Sequence, residues 1–330
     1  MILGSTVLLA RLLYDVLRRG EGPRRGVTER VVAERGSFPD LEYRPRGRSL
    51  GTLVLVHGVT ARASRDRQLV QLARALAARG YRCRTPALHD LARFSHDPSD
   101  IDGLAESIAT AAEDTGGPVG VLGFSYGASY ALAAAADRRA RDSCRALVAF
   151  GAYYRLSEAL AHQRQWLEKN PDPSSPDSDL LYLRYTLLAC HRQEIDLPER
   201  AWQDIDRALL DFTARGPIGP KQRPLLEHAR HIDYLGLMDS YLRRSLSERL
   251  SPASRLAEVR CGVGLLHDPE DRFVPARHTA EIARELDQRP RAVPTQVLTT
   301  PMFAHVRVVP GRQLLHLFRL ARLMEPLLGR

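Results

Sequence analysis

The sequence predicts an α/β protein: a mostly parallel, doubly wound sheet with an inserted α-helical cap. Three observations predict it. Short apolar, β-rich runs alternate with amphipathic helical spans from Thr52 to Phe150. The alternation breaks after Gly151, and from Arg155 to about Leu250 only helical spacing is found. It then resumes from Val263 to Leu328. Short apolar strands alternating with helices imply a parallel sheet covered on both faces. The helical block is too long to be a connection, so it is read as a layer of its own.

The elements follow in order. Met1 to Leu17 is apolar but interrupted by Arg11 and Asp15, too short and too charged for a spanning helix. Early positive charge and a small-residue cleavage site are also not clear, which argues against a secretory signal. Arg11, Asp15 and Arg18 share one helical face and Leu3, Val7, Ala10, Leu13, Tyr14 and Leu17 the other, so an amphipathic helix is expected. It either packs on the body of the protein or lies on a membrane or partner, and residues 1–19 are the candidate for peripheral membrane contact. Gly20 to Arg25 reads as a linker. Val27 to Glu34 and Leu41 to Arg44 read as strands, with turn residues near Gly36 and Pro39.

Thr52 to Val56 is a strand ending in His57-Gly58. Asp66 to Arg79 carries Leu69, Val70, Leu72, Ala73 and Leu76 at helical spacing and stops at Gly80. Strand Tyr81 to Pro86, helix Ile101 to Thr115, strand Val119 to Phe124, helix Ala128 to Asp137 and strand Ala146 to Phe150 complete the first half. In the block that follows, Leu156 to Lys169, Leu180 to His191, Glu199 to Phe212 and Leu225 to Leu250 read as helices, with a proline-bearing loop over Asn170 to Asp177. The last part is strand Val263 to His267, helix Ala276 to Leu286, strand Thr295 to Leu298 and helix Arg312 to Leu328. The expected division is 1–26 for the N-terminal helix and linker, 27–154 with 256–330 for the core, and 155–255 for the cap.

The 330 residues suffice for one large domain or two smaller ones, and a 44% hydrophobic share allows a substantial core. The formal charge is +9, but Lys169 and Lys221 are the only lysines and the arginines are scattered among acidic residues. That distribution reads as a solvated surface, and no nucleic-acid partner is expected. Cys83, Cys144, Cys190 and Cys261 lack the paired spacing of zinc or redox sites, and nothing asks for disulfides. A reducing, cytoplasmic setting is the default, with membrane association through the N-terminal helix as the variant. No cluster proposes a metal, and no cofactor is expected.

The chemistry gathers at Gly123-Phe124-Ser125-Tyr126-Gly127. A serine flanked by glycines where a strand turns into a helix is the form of a nucleophile elbow. Such a serine needs a base, a group that orients the base, and donors aimed at the developing oxyanion. The acid should follow a late strand. Asp268, Glu270 and Asp271 follow Val263 to His267; Asp271, which opens Asp271-Arg272-Phe273-Val274-Pro275, is favoured and Asp268 is the runner-up. The base should follow the last strand, where His305 stands; His316 lies inside the final helix and reads as structural, and His267 and His278 come too early. The backbone N–H groups of Val59 and Tyr126 are the candidate oxyanion donors, and His57 reads as a turn-stabilising residue rather than a catalyst.

The elbow, the His57-Gly58 turn, the Asp271–Pro275 segment and the late His305 resemble the α/β-hydrolase family in residue type and in order, over about Thr52 to Ala152 and Ala257 to Leu328. Two positions depart from the family pattern: Asp268 replaces a glycine three positions before the acid, and Ala304 replaces the glycine before the histidine. The resemblance implies an eight-stranded, mostly parallel sheet with the site at the carboxyl ends of its strands, and a cap in the helical block. It implies a serine hydrolase acting on a carboxylic ester or similar acyl bond of a small molecule, with a thioesterase or peptidase using the same machinery as alternatives. A ligand-binding protein on the same fold, without catalysis, is the alternative from another class. Trp166, Tyr182, Tyr185, Trp202, Phe212, Tyr234 and Tyr241 either line an acyl pocket or pack the cap onto the core, and packing is favoured.

Overall fold

The computed structural model describes residues 24–35, 37–172, 175, 177–215, 231–245, 247–289, 294–300 and 312–328, with the backbone alone at 35, 211–215, 312–318 and 321. The expected N-terminal helix and the linker up to residue 23 lie outside the described residues. One eight-stranded sheet organises the chain. Its strands are β1 (Val27–Arg35), β2 (Phe38–Pro45), β3 (Gly51–Val56), β4 (Tyr81–Thr85), β5 (Val119–Phe124), β6 (Cys144–Phe150), β7 (Gly262–His267) and β8 (Thr295–Thr299), in the order β1-β2-β4-β3-β5-β6-β7-β8. β2 pairs antiparallel with both β1 and β4, and every other pairing is parallel. The predicted turn near Pro39 is tighter than expected, since Pro39 already lies in β2, paired with Glu34.

The helices of the core are α1 (Arg67–Ala77), α2 (His89–Ala92), α3 (Pro98–Glu113) and α4 (Tyr126–Ala136). Asp66 caps α1 by accepting from the N–H groups of Gln68 and Leu69, and Asp97 caps α3 through Ser99. These acceptors satisfy N–H groups that a helix start leaves open. The alanine run of α4 has a packing role: all eleven of its residues are buried, so the helix is enclosed on every side. Small side chains let it lie close to β5 and β6 below and to its helical neighbours above.

Between β6 and β7 stand α5 (Leu156–Lys169), α6 (Ser178–Cys190), α7 (Glu199–Arg215) and α8 (Tyr234–Arg244). The predicted helix from Leu225 to Leu250 is corrected. Its first six residues, 225–230, lie outside the described residues; α8 begins at Tyr234, where Asp233 caps the N–H of Gly236, and ends at Arg244 before a short 3-10 turn over Glu248–Leu250. The core closes with α9 (Arg277–Asp287) and α10 (Arg312–Leu328). One apolar cluster fills the face of the sheet under α3, α4 and the inserted helices, and a second fills the face under α1 and α10. Among the described residues no helix is long and apolar enough to cross a membrane.

The arginines are engaged as well as exposed. Where β1, β2 and β4 adjoin, fully buried Glu42 receives Arg30 at 2.7 Å, Arg84 at 3.1 Å, Arg44 and Arg82. Burial alone would raise its pKa, but the four guanidinium hydrogen bonds hold it down at about 2. A carboxylate with a depressed folded pKa stabilises the fold above its ordinary pKa and loses that contribution as pH falls toward 2. Glu42→Gln strands buried guanidinium charge and is expected to cost about 3–5 kcal/mol in denaturant unfolding at neutral pH, with a smaller difference from the wild type near pH 3.

Candidate active site

β5 ends at Phe124, α4 begins at Tyr126, and Ser125 between them has φ +52° and ψ −129°. That is a costly backbone region for a residue with a Cβ, on the order of 1–3 kcal/mol, kept only where the surroundings fix it. The fixing contacts are visible. The Ser125 N–H donates to the Phe150 carbonyl at 2.6 Å, and the Ser125 carbonyl accepts from Ala128 N–H at 2.9 Å. The glycines of the motif are required by close approach. A Cβ on Gly123 would stand 2.6 Å from the Ala128 Cα, and one on Gly127 would stand 1.8 Å from the His57 carbonyl oxygen. Gly127→Ala is therefore expected to break the elbow, lowering the thermal midpoint by more than about 5 °C; an unchanged midpoint would contradict this packing.

The turn after β3 lies against the elbow. A Cβ on Gly58 would be 3.0 Å from the Phe124 carbonyl oxygen and 3.1 Å from the Ser125 Cβ. His57 holds this turn. Its Nδ1 faces the Gly58 carbonyl at 2.7 Å and its Nε2 accepts from the Leu88 N–H at 3.0 Å, which assigns the proton to Nδ1. Burial lowers its pKa to about 4, so it is a neutral strut. Val59 follows in this turn. Neither its N–H nor that of Tyr126 has a hydrogen-bond partner among the described residues.

The acid loop follows β7. Asp271 Oδ1 accepts from the N–H groups of Phe273 at 2.8 Å and Val274 at 3.0 Å. Its Oδ2 faces the elbow across Gly151, which has φ +65°: a Cβ there would be 3.5 Å from that oxygen and 3.8 Å from the Ser125 Cα. Burial raises the Asp271 pKa above the usual carboxylate value, and the two N–H donors oppose that. Asp268, the runner-up, is 4% exposed; its Oδ1 accepts from Glu270 N–H at 2.8 Å, and its buried Oδ2 has no partner among the described residues. Of the two acids, Asp271 is the one that borders Ser125 through Gly151. His267 Nε2 lies 3.8 Å from Asp271 but is spent on the Val274 carbonyl at 2.9 Å, while Nδ1 meets the Thr279 hydroxyl at 2.6 Å. It braces the loop.

His305 lies outside the described residues. Thr300, five positions before it, is held beside the acid loop, its N–H donating to the His267 carbonyl at 2.9 Å.

Two groups escaped the sequence reasoning. Gln163 on α5 donates to the Tyr126 hydroxyl at 2.8 Å and to the Phe273 carbonyl at 3.0 Å, so one buried amide ties the elbow, the acid loop and the inserted helices together. Its signal was a polar residue on the apolar face of an amphipathic helix. His96 stacks on Tyr126 with 5.3 Å between ring centroids and meets the Tyr130 hydroxyl at 3.0 Å and the Tyr241 hydroxyl at 2.8 Å. Desolvation lowers its pKa to about 3. No local signal marked it.

The aromatics of the inserted layer pack on the loop after β7 and on the turn after β3. Trp166 and Tyr182 meet Phe273 edge to face at 5.8 and 5.9 Å, and the Tyr182 hydroxyl donates to the Val59 carbonyl at 3.1 Å. Tyr185, Trp202, Tyr234 and Tyr241 are buried, and the side chain of Phe212 lies outside the described residues. Among the described residues one group, Glu158, His278 and Glu281, brings three ligand atoms within 4.8 Å of one another. It suits a cation poorly: Tyr154 N–H already donates to His278 Nδ1 at 3.2 Å, and Arg155 reaches Glu158 at 3.7 Å.

An eight-stranded, mostly parallel sheet with a strained serine at a strand-to-helix turn defines an α/β-hydrolase fold. Residues 53–318 match the model of the alpha/beta hydrolase family, and the chain belongs to that family. No match is found among curated proteins. Two solved structures show the likeness in space. An esterase from Pyrococcus furiosus is 13% identical, with a TM-score of 0.52 over 91% of this chain and 90% of its own. The brefeldin A esterase, a bacterial homologue of human hormone-sensitive lipase, is 17% identical, with a TM-score of 0.51 over 99% of this chain and 83% of its own. At such identities the likeness is one of fold.

Proposed function

We propose that this chain is a serine hydrolase cleaving a carboxylic ester or related acyl bond through an acyl-enzyme on Ser125. The observation that carries this reading is the backbone of Ser125 at φ +52°, locked by the Gly123, Gly127 and Gly58 contacts. Strain of this kind is retained where it aims a side chain, and here it leaves a half-buried hydroxyl beside a helix start.

In the proposed reaction Ser125 Oγ attacks the acyl carbon while the His305 imidazole takes its proton. The Asp271 Oδ2 orients that imidazole and stabilises its protonated form. The N–H groups of Val59 and Tyr126 receive the oxyanion, assisted by the positive end of α4. His305 then gives the proton to the leaving alcohol, and water releases the acid by the same steps. The anchoring of Thr300 beside the acid loop supports this assignment, because β8 ends there, at the carboxyl end of the sheet and five positions before His305 in the sequence.

Purified protein is expected to turn over a short-chain 4-nitrophenyl ester well above the buffer rate, and faster than the matched thioester or anilide. No turnover of any of the three above buffer would overturn the reading.

A further inference from the structure

We propose that Gln163, on the inserted helix α5, is a positioning residue that aims two parts of the site at once: the Tyr126 N–H and the Asp271 carboxylate. The proposal rests on the hydrolase reading above. Five residues of α5 are buried, and Gln163 is the polar one among them, set between Leu160 and Leu167. An amide on an otherwise apolar face is costly unless it finds hydrogen-bond partners. The Nε2 of Gln163 carries two N–H bonds, and both are used. One goes to the Tyr126 hydroxyl at 2.8 Å and the other to the Phe273 carbonyl at 3.0 Å. A carbonyl only accepts, so the NH₂ end of the amide is the end that faces Phe273.

Tyr126 follows Ser125 and opens α4. Its ring is clamped. His96 stacks on it with 5.3 Å between centroids and 7° between planes, and Tyr153 meets it edge to face at 5.1 Å. Both clamps are themselves held. The hydroxyls of Tyr130 and Tyr241 meet the two ring nitrogens of His96, and the Tyr153 hydroxyl donates to the Leu250 carbonyl at 2.8 Å. Gln163 fixes the remaining end, the Tyr126 hydroxyl. With ring and hydroxyl both held, the Tyr126 Cα–Cβ bond has one direction, and the peptide that carries its N–H is steadied from the side-chain end.

Phe273 is pinned on both sides of its Cα. Its N–H donates to Asp271 Oδ1 at 2.8 Å, and its carbonyl receives Gln163. Its ring rests edge to face on Trp166 and Tyr182 of the inserted helices. Gln163 therefore reaches the proposed acid through one residue and the proposed oxyanion donor through one side chain. The elbow follows β5 and the acid loop follows β7, with β6 between them in the sheet, so a single amide sets the spacing of two segments that the strands deliver separately. The inserted layer is thereby part of the site rather than a cover over it. In a reaction that needs both segments in one geometry, a shift of about 1 Å costs on the order of 10² in rate.

Gln163→Met keeps the length of the side chain and removes both hydrogen bonds. Its kcat for a short-chain 4-nitrophenyl ester is expected to fall by about 30-fold or more, with KM within about threefold of the wild type. The Phe273 carbonyl loses its donor as well, so the midpoint falls too, and a control for loosening alone is needed. Ser251→Ala is that control: the Ser251 hydroxyl receives the Leu156 N–H at 3.0 Å at the start of the same helix. Its midpoint is expected to fall with kcat within about twofold of the wild type. Gln163→Glu is the second variant and gives a readout that packing does not move. Protonated, the introduced carboxyl donates to the Phe273 carbonyl; ionised, it donates to nothing and adds a charge beside the Asp271 loop. Burial raises its pKa, so its kcat relative to the wild type at the same pH is expected to rise about tenfold between pH 8.5 and pH 5.5. Hydrogen exchange over Asp271 to Val274 needs no turnover, and it is expected to be about fivefold faster in Gln163→Met than in Ser251→Ala. With an active wild type, equal kcat in Gln163→Met and Ser251→Ala, or a flat pH ratio for Gln163→Glu, overturns the positioning role and leaves the hydrolase reading standing. An inactive wild type overturns that reading and the catalytic role with it, and equal exchange in the two variants overturns the hold of Gln163 on the Asp271 loop.

Discussion

Ser125→Ala is expected to remove turnover of a short-chain aryl ester by a factor on the order of 10⁴–10⁶ while leaving the fold in place. Both halves follow from the elbow. The Ser125 hydroxyl makes no capping hydrogen bond to α4, and the strain belongs to the backbone and the Cβ, which alanine shares. The thermal midpoint should therefore stay within about 2 °C of the wild type. In the proposed reaction what disappears is the nucleophile, and what remains is whatever the proposed oxyanion donors and binding give by themselves. Wild-type turnover in this variant would mean that another group attacks, or that water does so directly.

Asp271→Asn is expected to separate activity from stability. Oδ1 of asparagine still accepts the N–H groups of Phe273 and Val274, so the loop keeps its shape. At Oδ2, however, an NH₂ replaces the acceptor facing the elbow, and in the proposed reaction the imidazole of His305 would meet a donor. A loss of about 10⁴ in kcat is expected. Stability should move the other way. Burial raises the Asp271 pKa, so its ionised form is the less favourable one in the fold, and the cost is present above the folded pKa and relieved as pH falls through it. A neutral asparagine escapes that cost, so the midpoint at pH 7 should be equal or higher. Asp268→Asn is the comparison: a larger loss of kcat there than in Asp271→Asn would move the acid role to the residue closer to the strand.

The parts of this protein that were legible in the sequence are those written in local pattern. Val119 to Phe124 matches β5 because a short apolar run before a glycine-flanked serine leaves one reading, and Leu156 to Lys169 matches α5 because its period is unbroken. The span from Leu225 to Leu250 misled because apolar spacing alone does not say where a helix begins or ends. Leu242, Leu246 and Leu250 continue the period, but α8 has stopped at Arg244. The better signals were Asp233 and Gly236, an acceptor three residues before the N–H it caps. The candidate acid was legible as a preference for Asp271 over Asp268, and what supports that preference, Gly151 lying between Ser125 and Asp271, is a product of strand order. Gln163 and His96 were not legible, because each is defined by what a distant segment brings to it.

In the proposed reaction Ser125 is an activated nucleophile. The most direct measurement is labelling of the folded wild-type protein with a fluorophosphonate, followed by mass mapping of the adduct. The expected result is one adduct on the peptide bearing Ser125, absent from Ser125→Ala and much slower to form in Asp271→Asn. Folded protein that takes no label, or takes it at another residue, would contradict the account.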